Sequence, residues 1–139
     1  MDRPNILFIC TDQQSRQALG AAGNPWAQTP HMDRLAATGV RFTDAYCSAP
    51  VCGPSRASLL TGRMSHDHGV RVNGLSLRDG VVNFGQLLER DGYETAWSGR
   101  WHLPEPYPTQ SDRLPGFESL LPDSFRQLPN RQLGEITDE

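Results

Sequence analysis

The stretch from Cys52 to Arg63 combines a thiol, a helix start and a cation, which together could carry out a nucleophilic reaction on an anion. It reads Cys-Gly-Pro-Ser-Arg-Ala-Ser-Leu-Leu-Thr-Gly-Arg. Proline is favoured at the first position of a helix, so Pro54 predicts a helix that begins just after the cysteine and runs to about Leu60. The backbone N–H groups of that first turn and the Arg56 guanidinium would attract a tetrahedral oxyanion beside the thiol. The alternative interpretation is an ordinary helix start that carries a buried free cysteine.

Cys52 is the cysteine whose surroundings favour reactive chemistry, because a helix start and an arginine stabilise a thiolate. The chain has three cysteines, so they cannot all pair, and their spacing matches no common zinc motif. Cys10 lies in an apolar run and Cys47 at the end of a half-apolar segment, so we expect both to be small core residues. A disulfide between Cys47 and Cys52 is not favoured in a reducing compartment.

Length, charge and hydropathy exclude two classes of partner. The chain has 139 residues, a net charge of −3 and an isoelectric point near 5.8, which fit one domain and give no basic surface for nucleic acid. The apolar run Ile6–Cys10 is far too short to cross a bilayer. It follows Asp2 and Arg3 without the layout of a signal peptide, so the chain as given is predicted to be cytoplasmic unless a leader was removed. We therefore expect neither nucleic acid nor membrane as a partner.

The hydrophobic pattern alternates between strand and helix signals, which predicts an α/β fold with a mainly parallel sheet flanked by helices. Asn5–Cys10 is apolar on both faces, as in a buried parallel strand, and it is followed by Asp12 and Gln13. Ligands collect at the carboxyl ends of such strands, so these two residues are candidates for the site. The other predicted elements are a helix from Thr29 to Gly39, strands over Val40–Tyr46 and Tyr93–Trp97, a loop from Gly62 to Gly80, a helix between Asn83 and Gly92, and a short helix near Ser124–Leu128. Three strands are too few for a complete domain of this type.

The segment around Cys52 resembles the signature of the formylglycine-dependent sulfatases, Cys-x-Pro-Ser-Arg followed by Leu-Thr-Gly-Arg. The resemblance covers most of residues 4–103, and Gly99–Leu103 is similar to the family's Gly-Lys-Trp-His-Leu element. Other similar stretches are Pro4–Ile9, Thr29–Ala36, Val40–Tyr46, His68–Val70, Gly92–Ala96 and Gly116–Glu118. The resemblance implies an incomplete alkaline phosphatase-like core, with a sulfatase amino-terminal region over residues 1–103 and a proline-rich, poorly defined tail over residues 104–139.

The family's catalytic residues can be carried over position by position, which implies a sulfuric ester hydrolase. Cys52 would be converted by a formylglycine-generating enzyme to formylglycine, whose aldehyde hydrate attacks sulfur and then expels sulfate. Arg56 would hold the hydrate, Arg100 would replace the family's lysine near the sulfate, and His102 would donate a hydrogen bond to it. The substrate would be a small-molecule or carbohydrate sulfate ester.

The resemblance also implies a divalent cation, held by Asp12, Gln13 and the modified Cys52. Calcium is preferred, with manganese or magnesium as alternatives. Many sulfatases carry a second aspartate where this chain has Gln13, which leaves the related phosphonate monoester and phosphodiester hydrolases open. The family's remaining metal ligands have no counterpart before Glu139, so we expect the chain alone to be weakly active at best. A non-catalytic truncated fragment is a further alternative.

Two other groups of residues could bind ligands but have a simpler interpretation. His66-Asp67-His68 contains metal-ligand types, but the three residues alternate in a predicted loop, so solvated or loop-bracing side chains are favoured. Trp97 and Trp101 could stack on a sugar, but tryptophans at a strand end more often pack in a core or at its rim. We therefore expect both groups to be structural.

Overall fold

Four α-helices, two short 3₁₀ helices (Arg16–Ala18 and Gly20–Ala22) and three short strands are the regular elements of the computed structural model within its described residues, 3–104 and 113–119. The helices are α1 (Pro30–Thr38), α2 (Cys52–Thr61), α3 (Ser65–His68) and α4 (Phe84–Arg90), and the strands are β1 (Ala96–Trp97), β2 (Arg113–Leu114) and β3 (Phe117–Ser119). The chain divides into two units that meet in sequence between Tyr46 and Cys47. No helix among these residues is long and apolar enough to span a membrane.

The first unit is organised by side chains at the start of α1. The Thr29 hydroxyl accepts a hydrogen bond from the Gly20 N–H at 2.9 Å and donates one to the Asp33 carboxylate at 3.0 Å. Asp33 also accepts a hydrogen bond from the Ala21 N–H at 2.7 Å, which ties α1 to the turn before it. A proline at the first helical position fits this start, because its missing N–H is not needed there. The helix predicted from Thr29 to Gly39 is thereby confirmed.

The two strands predicted for the first unit, Asn5–Cys10 and Val40–Tyr46, do not form. Neither pairs with a strand among the described residues, and their apolar side chains are exposed, Phe42 to 80%. A buried strand needs neighbouring strands and layers that cover its side chains, and the described residues of this unit leave both segments exposed. The prediction that Cys10 and Cys47 are core residues is also wrong, because both thiols are exposed.

The second unit has a small apolar core against α2. Its buried side chains are Ala57, Leu60, Val70, Leu103 and Phe117. The helix begins at Cys52 rather than at Pro54, because the Ser55 N–H already donates to the Val51 carbonyl at 2.8 Å. It ends at Gly62, whose φ of 66° lies in the left-handed region that favours glycine. Cys52 is therefore part of the helix and not merely next to it.

The connection after α2 contains a helical turn where a loop was predicted. This turn is α3, which packs on α2 and ends at Gly69. Farther along, α4 is specified by its own sequence through a capping box. The Asn83 side chain accepts a hydrogen bond from the Gln86 N–H at 3.0 Å, and the Gln86 side chain accepts one from the Asn83 N–H at 3.0 Å. The predicted helix between Asn83 and Gly92 is confirmed.

The sheet is small and mixed, in the order β1-β3-β2. β1 runs parallel to β3, with Ala96 opposite Glu118, and β2 runs antiparallel to β3 across a turn at Gly116. Only the last two residues of the predicted strand Tyr93–Trp97 join this sheet. The helix predicted near Ser124–Leu128 lies outside the described residues.

An aromatic cluster joins the sheet to α4 and to the segment that follows β1. The Phe117 ring meets Phe84, Trp97 and Trp101 edge-on, with ring centroids 5.5, 5.4 and 6.1 Å away. Trp97 and Trp101 also meet each other at 5.0 Å. Edge-to-face contacts of this kind favour a fixed arrangement of the rings. The expectation that both tryptophans pack against the core is confirmed.

Candidate active site

The Cys52 thiol lies exposed at the start of α2, in contact with the side chain of Asn73. The Asn73 amide nitrogen is 3.3 Å from the Cys52 sulfur and its amide oxygen is 3.5 Å from it. The same oxygen accepts a hydrogen bond from the Gly53 N–H at 2.8 Å. One carboxamide therefore holds both the candidate nucleophile and a backbone N–H of the first turn.

Asn73 is the site residue that sequence reasoning missed. It lies in the aperiodic stretch between Gly62 and Gly80, where Asn73-Gly74 is a common turn dipeptide. This dipeptide predicts a turn, but it does not predict which residues the Asn73 side chain contacts. The contact joins residues 21 positions apart, so it depends on how α3 folds back on α2.

Arg56 lies on α2, one turn after Cys52, and connects this helix to the segment after β1. Its Nη1 donates a hydrogen bond to the Arg100 carbonyl oxygen at 2.8 Å. Hydrogen bonds from a charged donor are stronger than those between neutral groups. The structure thus brings together two segments that carry predicted site residues: α2, with Cys52 and Arg56, and the segment after β1, with Arg100.

Arg100 and His102 lie on either side of Trp101 in that segment. The Arg100 side chain is exposed and His102 is half-buried. His102 has a φ of 62°, a left-handed conformation that costs a non-glycine residue about 1–3 kcal/mol and persists only where the surroundings fix it. The neighbours Trp101 and Leu103 provide that constraint, because both pack in the core. The backbone direction at His102 is therefore set by packing.

Asp12 and Gln13, the predicted metal ligands, belong to the first unit. Both are exposed, and Gln13 has a left-handed φ of 53°. Carboxylate and amide oxygens suit a hard cation, but calcium takes roughly six to eight oxygen ligands. Among residues 3–104 and 113–119, no group of three or more His, Cys, Asp or Glu side chains could hold a metal ion. The donors fit a calcium site in kind, and such a site needs further ligands.

His68 is fully buried behind α2 and braces the segment that holds Asn73. Its Nδ1 accepts a hydrogen bond from the Val70 N–H at 3.1 Å, and its Nε2 lies 2.9 Å from the Ser58 hydroxyl. Burial lowers the pKa of His68 below its ordinary value of 6.5. The Asp67 carboxylate partly offsets this effect on the pKa, whereas the charges of Arg78 and His66 add to it. His66 itself is exposed, so the preferred interpretation of this motif as solvated or bracing side chains is confirmed.

Known proteins match this chain along most of its length. The family model described as Sulfatase matches residues 4–126. An N-acetylglucosamine-6-O-sulfatase of Bacteroides thetaiotaomicron is 44% identical over 101 residues, which are 73% of this chain and 18% of that protein. An ulvan-active sulfatase of Formosa agariphila is 46% identical over 101 residues, which are 73% of this chain and 20% of that protein.

Solved structures agree with the sequence matches. A protein solved in complex with its substrate, D-glucosamine-2-N,6-O-disulfate, has a TM-score of 0.72 and 37% identity, and the match covers 84% of this chain and 22% of that one. A putative sulfatase from Bacteroides thetaiotaomicron has a TM-score of 0.65 and 31% identity, covering 78% of this chain and 23% of that one. The chain therefore spans about a fifth of the length of the relatives it matches.

Proposed function

Because the chain belongs to the sulfatase family, we propose that it contributes the nucleophile-bearing part of a sulfuric ester hydrolase, with Cys52 converted to formylglycine. The observation that carries this proposal is the position of Cys52 at the start of α2, beside the Asn73 carboxamide and one turn before Arg56. The family and the alkaline phosphatase-like α/β fold class predicted from the sequence are both confirmed by the matching sulfatases.

The start of α2 suits a reaction at a sulfate ester. Such an ester carries a permanent negative charge, so attack by an anionic oxygen requires cations and N–H donors that offset the repulsion. The first turn of α2 directs its N–H groups toward the Cys52 end, and Arg56 adds a guanidinium on the same helix. One hydroxyl of a formylglycine hydrate would attack sulfur as the alcohol of the ester leaves. The second hydroxyl would then lose its proton, so that the aldehyde re-forms as sulfate leaves, and water would restore the hydrate.

We assign Arg100 and His102 to binding the sulfate group. The hydrogen bond from Arg56 to the Arg100 carbonyl holds their segment against the helix that bears Cys52. An arginine at position 100 offers a planar pair of N–H donors to an oxyanion, where the family's lysine offers a single point charge. The core contacts of Trp101 support a fixed placement of both neighbours.

The family implies a divalent metal ion, and we propose calcium bound by Asp12, Gln13 and the modified Cys52. When bound, the cation would supply positive charge next to the sulfate oxygens. Asp12, Gln13 and the modified Cys52 supply fewer ligands than calcium takes, so we expect a chain with these ligands alone to be weakly active at best. Three further statements stay predictions: the division of the chain at residue 103, the cytoplasmic location, and the dependence on a formylglycine-generating enzyme.

A sulfated carbohydrate is the substrate class that we favour. The support is the disulfated glucosamine bound to the solved relative, together with the relative named for N-acetylglucosamine 6-O-sulfate. The phosphonate monoester and phosphodiester alternative has no support among these relatives. Selection of one sugar over another depends on the loops around the site. We therefore propose a class of substrate and not an individual sugar.

Co-expression of the full-length protein with a formylglycine-generating enzyme tests the proposal at Cys52. Peptide mass spectrometry should find formylglycine at position 52, and turnover of an aryl sulfate should scale with the converted fraction. Cys52→Ala should lower kcat about 10⁴-fold or more. Cys47→Ala is the matched control, because Cys47 is an exposed cysteine outside the helix. A fully converted protein that hydrolyses aryl phosphonate esters but not aryl sulfates would overturn the proposal.

A further inference from the structure

A buried hydrogen-bond pair links the middle of α2 to α3. The imidazole of His68 has no exposed surface, and its hydrogen-bond partner Val70 is a buried residue of the core. A polar ring at such a position is retained only when its nitrogens have partners, because an unpaired buried polar atom costs stability. Both nitrogens of His68 have a partner, Ser58 on α2 and Val70 in the segment just after α3.

These partners fix which nitrogen of His68 carries the proton. The Val70 N–H donates to Nδ1 at 3.1 Å, so Nδ1 must be an unprotonated acceptor. The neutral imidazole therefore carries its proton on Nε2 and donates it to the Ser58 hydroxyl oxygen at 2.9 Å. A second proton on the ring would direct Nδ1–H at the Val70 N–H and break this arrangement.

Ser58 connects the imidazole to the segment that leads into the active site. Its hydroxyl oxygen lies 2.7 Å from the Ser48 hydroxyl, four residues before Cys52 in the sequence. Ser58 itself belongs to α2, the helix that carries Cys52 and Arg56. The Ser58–His68 pair thus ties the nucleophile's helix to α3, and the Ser48 hydroxyl ties the same helix to the segment that leads into it.

We infer that Ser58 and His68 are positioning residues, which hold the start of α2 in place through a hydrogen bond that requires the neutral, Nε2-protonated imidazole. The inference rests on the proposed function, because the reaction is what the position of α2 would serve. Neither side chain touches the thiol, so the effect on catalysis is transmitted through the helix.

The charges around His68 favour its neutral form. Arg78 donates its backbone N–H to the His68 carbonyl at 3.0 Å, and the aliphatic part of its side chain lies against Gly69. Its positive charge opposes protonation of the ring, as does His66, whereas Asp67 favours protonation. From α2, the group that faces the ring is the uncharged Ser58 hydroxyl. Burial then decides the balance, and it lowers the pKa.

Two substitutions at one position separate the hydrogen bond to Ser58 from simple core packing. Glutamine places an amide N–H where His68 has Nε2, whereas asparagine places an amide oxygen where His68 has Nδ1. In the full-length converted protein, we expect His68→Gln to keep kcat within about threefold and His68→Asn and Ser58→Ala to lower kcat about tenfold, with KM nearly unchanged. His66→Asn is the matched control on the same helix and should leave kcat unchanged. If His68→Asn and His68→Gln lower kcat equally, the inference is overturned.

Hydrogen exchange gives a readout that does not depend on sulfatase activity. Amides in residues 52–61 should exchange about tenfold faster in His68→Asn than in His68→Gln, while residues 84–90 should be unaffected. If the wild-type protein is fully converted yet hydrolyses no sulfate ester, the proposed function fails and this exchange difference still decides the inference. Equal exchange in residues 52–61 of both variants would refute it.

Discussion

The turn at Gly116 offers a quantitative test of how the aromatic cluster is supported. Gly116 has a φ of 75°, and a Cβ built on it would lie 2.6 Å from the Gly85 carbonyl carbon and overlap the Gln86 nitrogen. Both of those atoms are backbone atoms of α4, so they cannot swing away as a flexible side chain would. Gly116→Ala therefore combines left-handed strain with displacement of a helix.

The expected loss can be worked out from these contacts. Left-handed strain at a non-glycine residue costs about 1–2 kcal/mol. Overpacking adds about 1–3 kcal/mol. Displacement of the turn also weakens the hydrogen bonds from Thr95 Oγ1 to the Gly116 carbonyl, 2.6 Å, and from the Asn83 amide to the Pro115 carbonyl, 2.9 Å. Together these contributions predict a decrease in the free energy of unfolding of about 3–5 kcal/mol.

Gly80→Ala is the matched control for this measurement. Gly80 has a φ of 79°, close to that of Gly116, but a Cβ there would meet no atom within 4 Å. It should cost only the strain, about 1–2 kcal/mol. Urea unfolding followed by tryptophan fluorescence suits both variants, because Trp97 and Trp101 pack against Phe117. If Gly116→Ala destabilises the protein no more than Gly80→Ala does, the reasoning from the close approach to α4 is refuted.

Other residues of the second unit and the proposed metal site give further predictions. Asn73→Ala should lower kcat on an aryl sulfate about tenfold or more by removing the carboxamide from the nucleophile, and steady-state kinetics with unchanged kcat would contradict this role. Phe117→Ala should lower the free energy of unfolding by about 3–5 kcal/mol in urea titrations, and Phe117→Leu should cost much less because it leaves a smaller cavity. Because burial lowers the pKa of His68, the unfolded state binds its proton more tightly, so stability should rise with pH up to about 6.5 and then level off for this group. Thermal melts across that range should show a flatter rise in His68→Gln. Chelation should abolish turnover, and Asp12→Asn should raise the calcium concentration needed to restore it, as measured by calcium titration; full activity in excess chelator would argue against the metal.

Local signals in the sequence were sufficient for α1 and α4, whereas α3 formed where a loop was predicted. The Asn83 capping box and the proline and glycine that bound α1 act within a few residues, so a single sequence reveals them. The strand predictions for Asn5–Cys10 and Val40–Tyr46 had the right composition but depended on partners that the described residues do not supply. Strand pairing is a non-local property, and the apolar pattern alone cannot guarantee it.

In the candidate site, too, contacts between residues near in sequence could be predicted and contacts between distant residues could not. Cys52 and Arg56 share one helix, so their proximity follows from sequence spacing once the helix is recognised. Asn73 and the Arg100 carbonyl reach that helix from 21 and 44 residues away. Those contacts depend on the path of the intervening chain, and residue types alone do not specify it. The resemblance to a family supplied the proposed role of Arg100 but not the contact made by its backbone.

The exposed segment Asn5–Cys10 has a practical consequence for handling this chain. Its sequence Asn-Ile-Leu-Phe-Ile-Cys is uncharged, lacks proline and is rich in β-forming residues, and Leu7 is 84% exposed. Such a stretch can pair edge to edge with the same stretch of another molecule. Preparations of the 139-residue chain should therefore self-associate as the protein concentration rises. A charged substitution at Leu7 should keep the protein in solution.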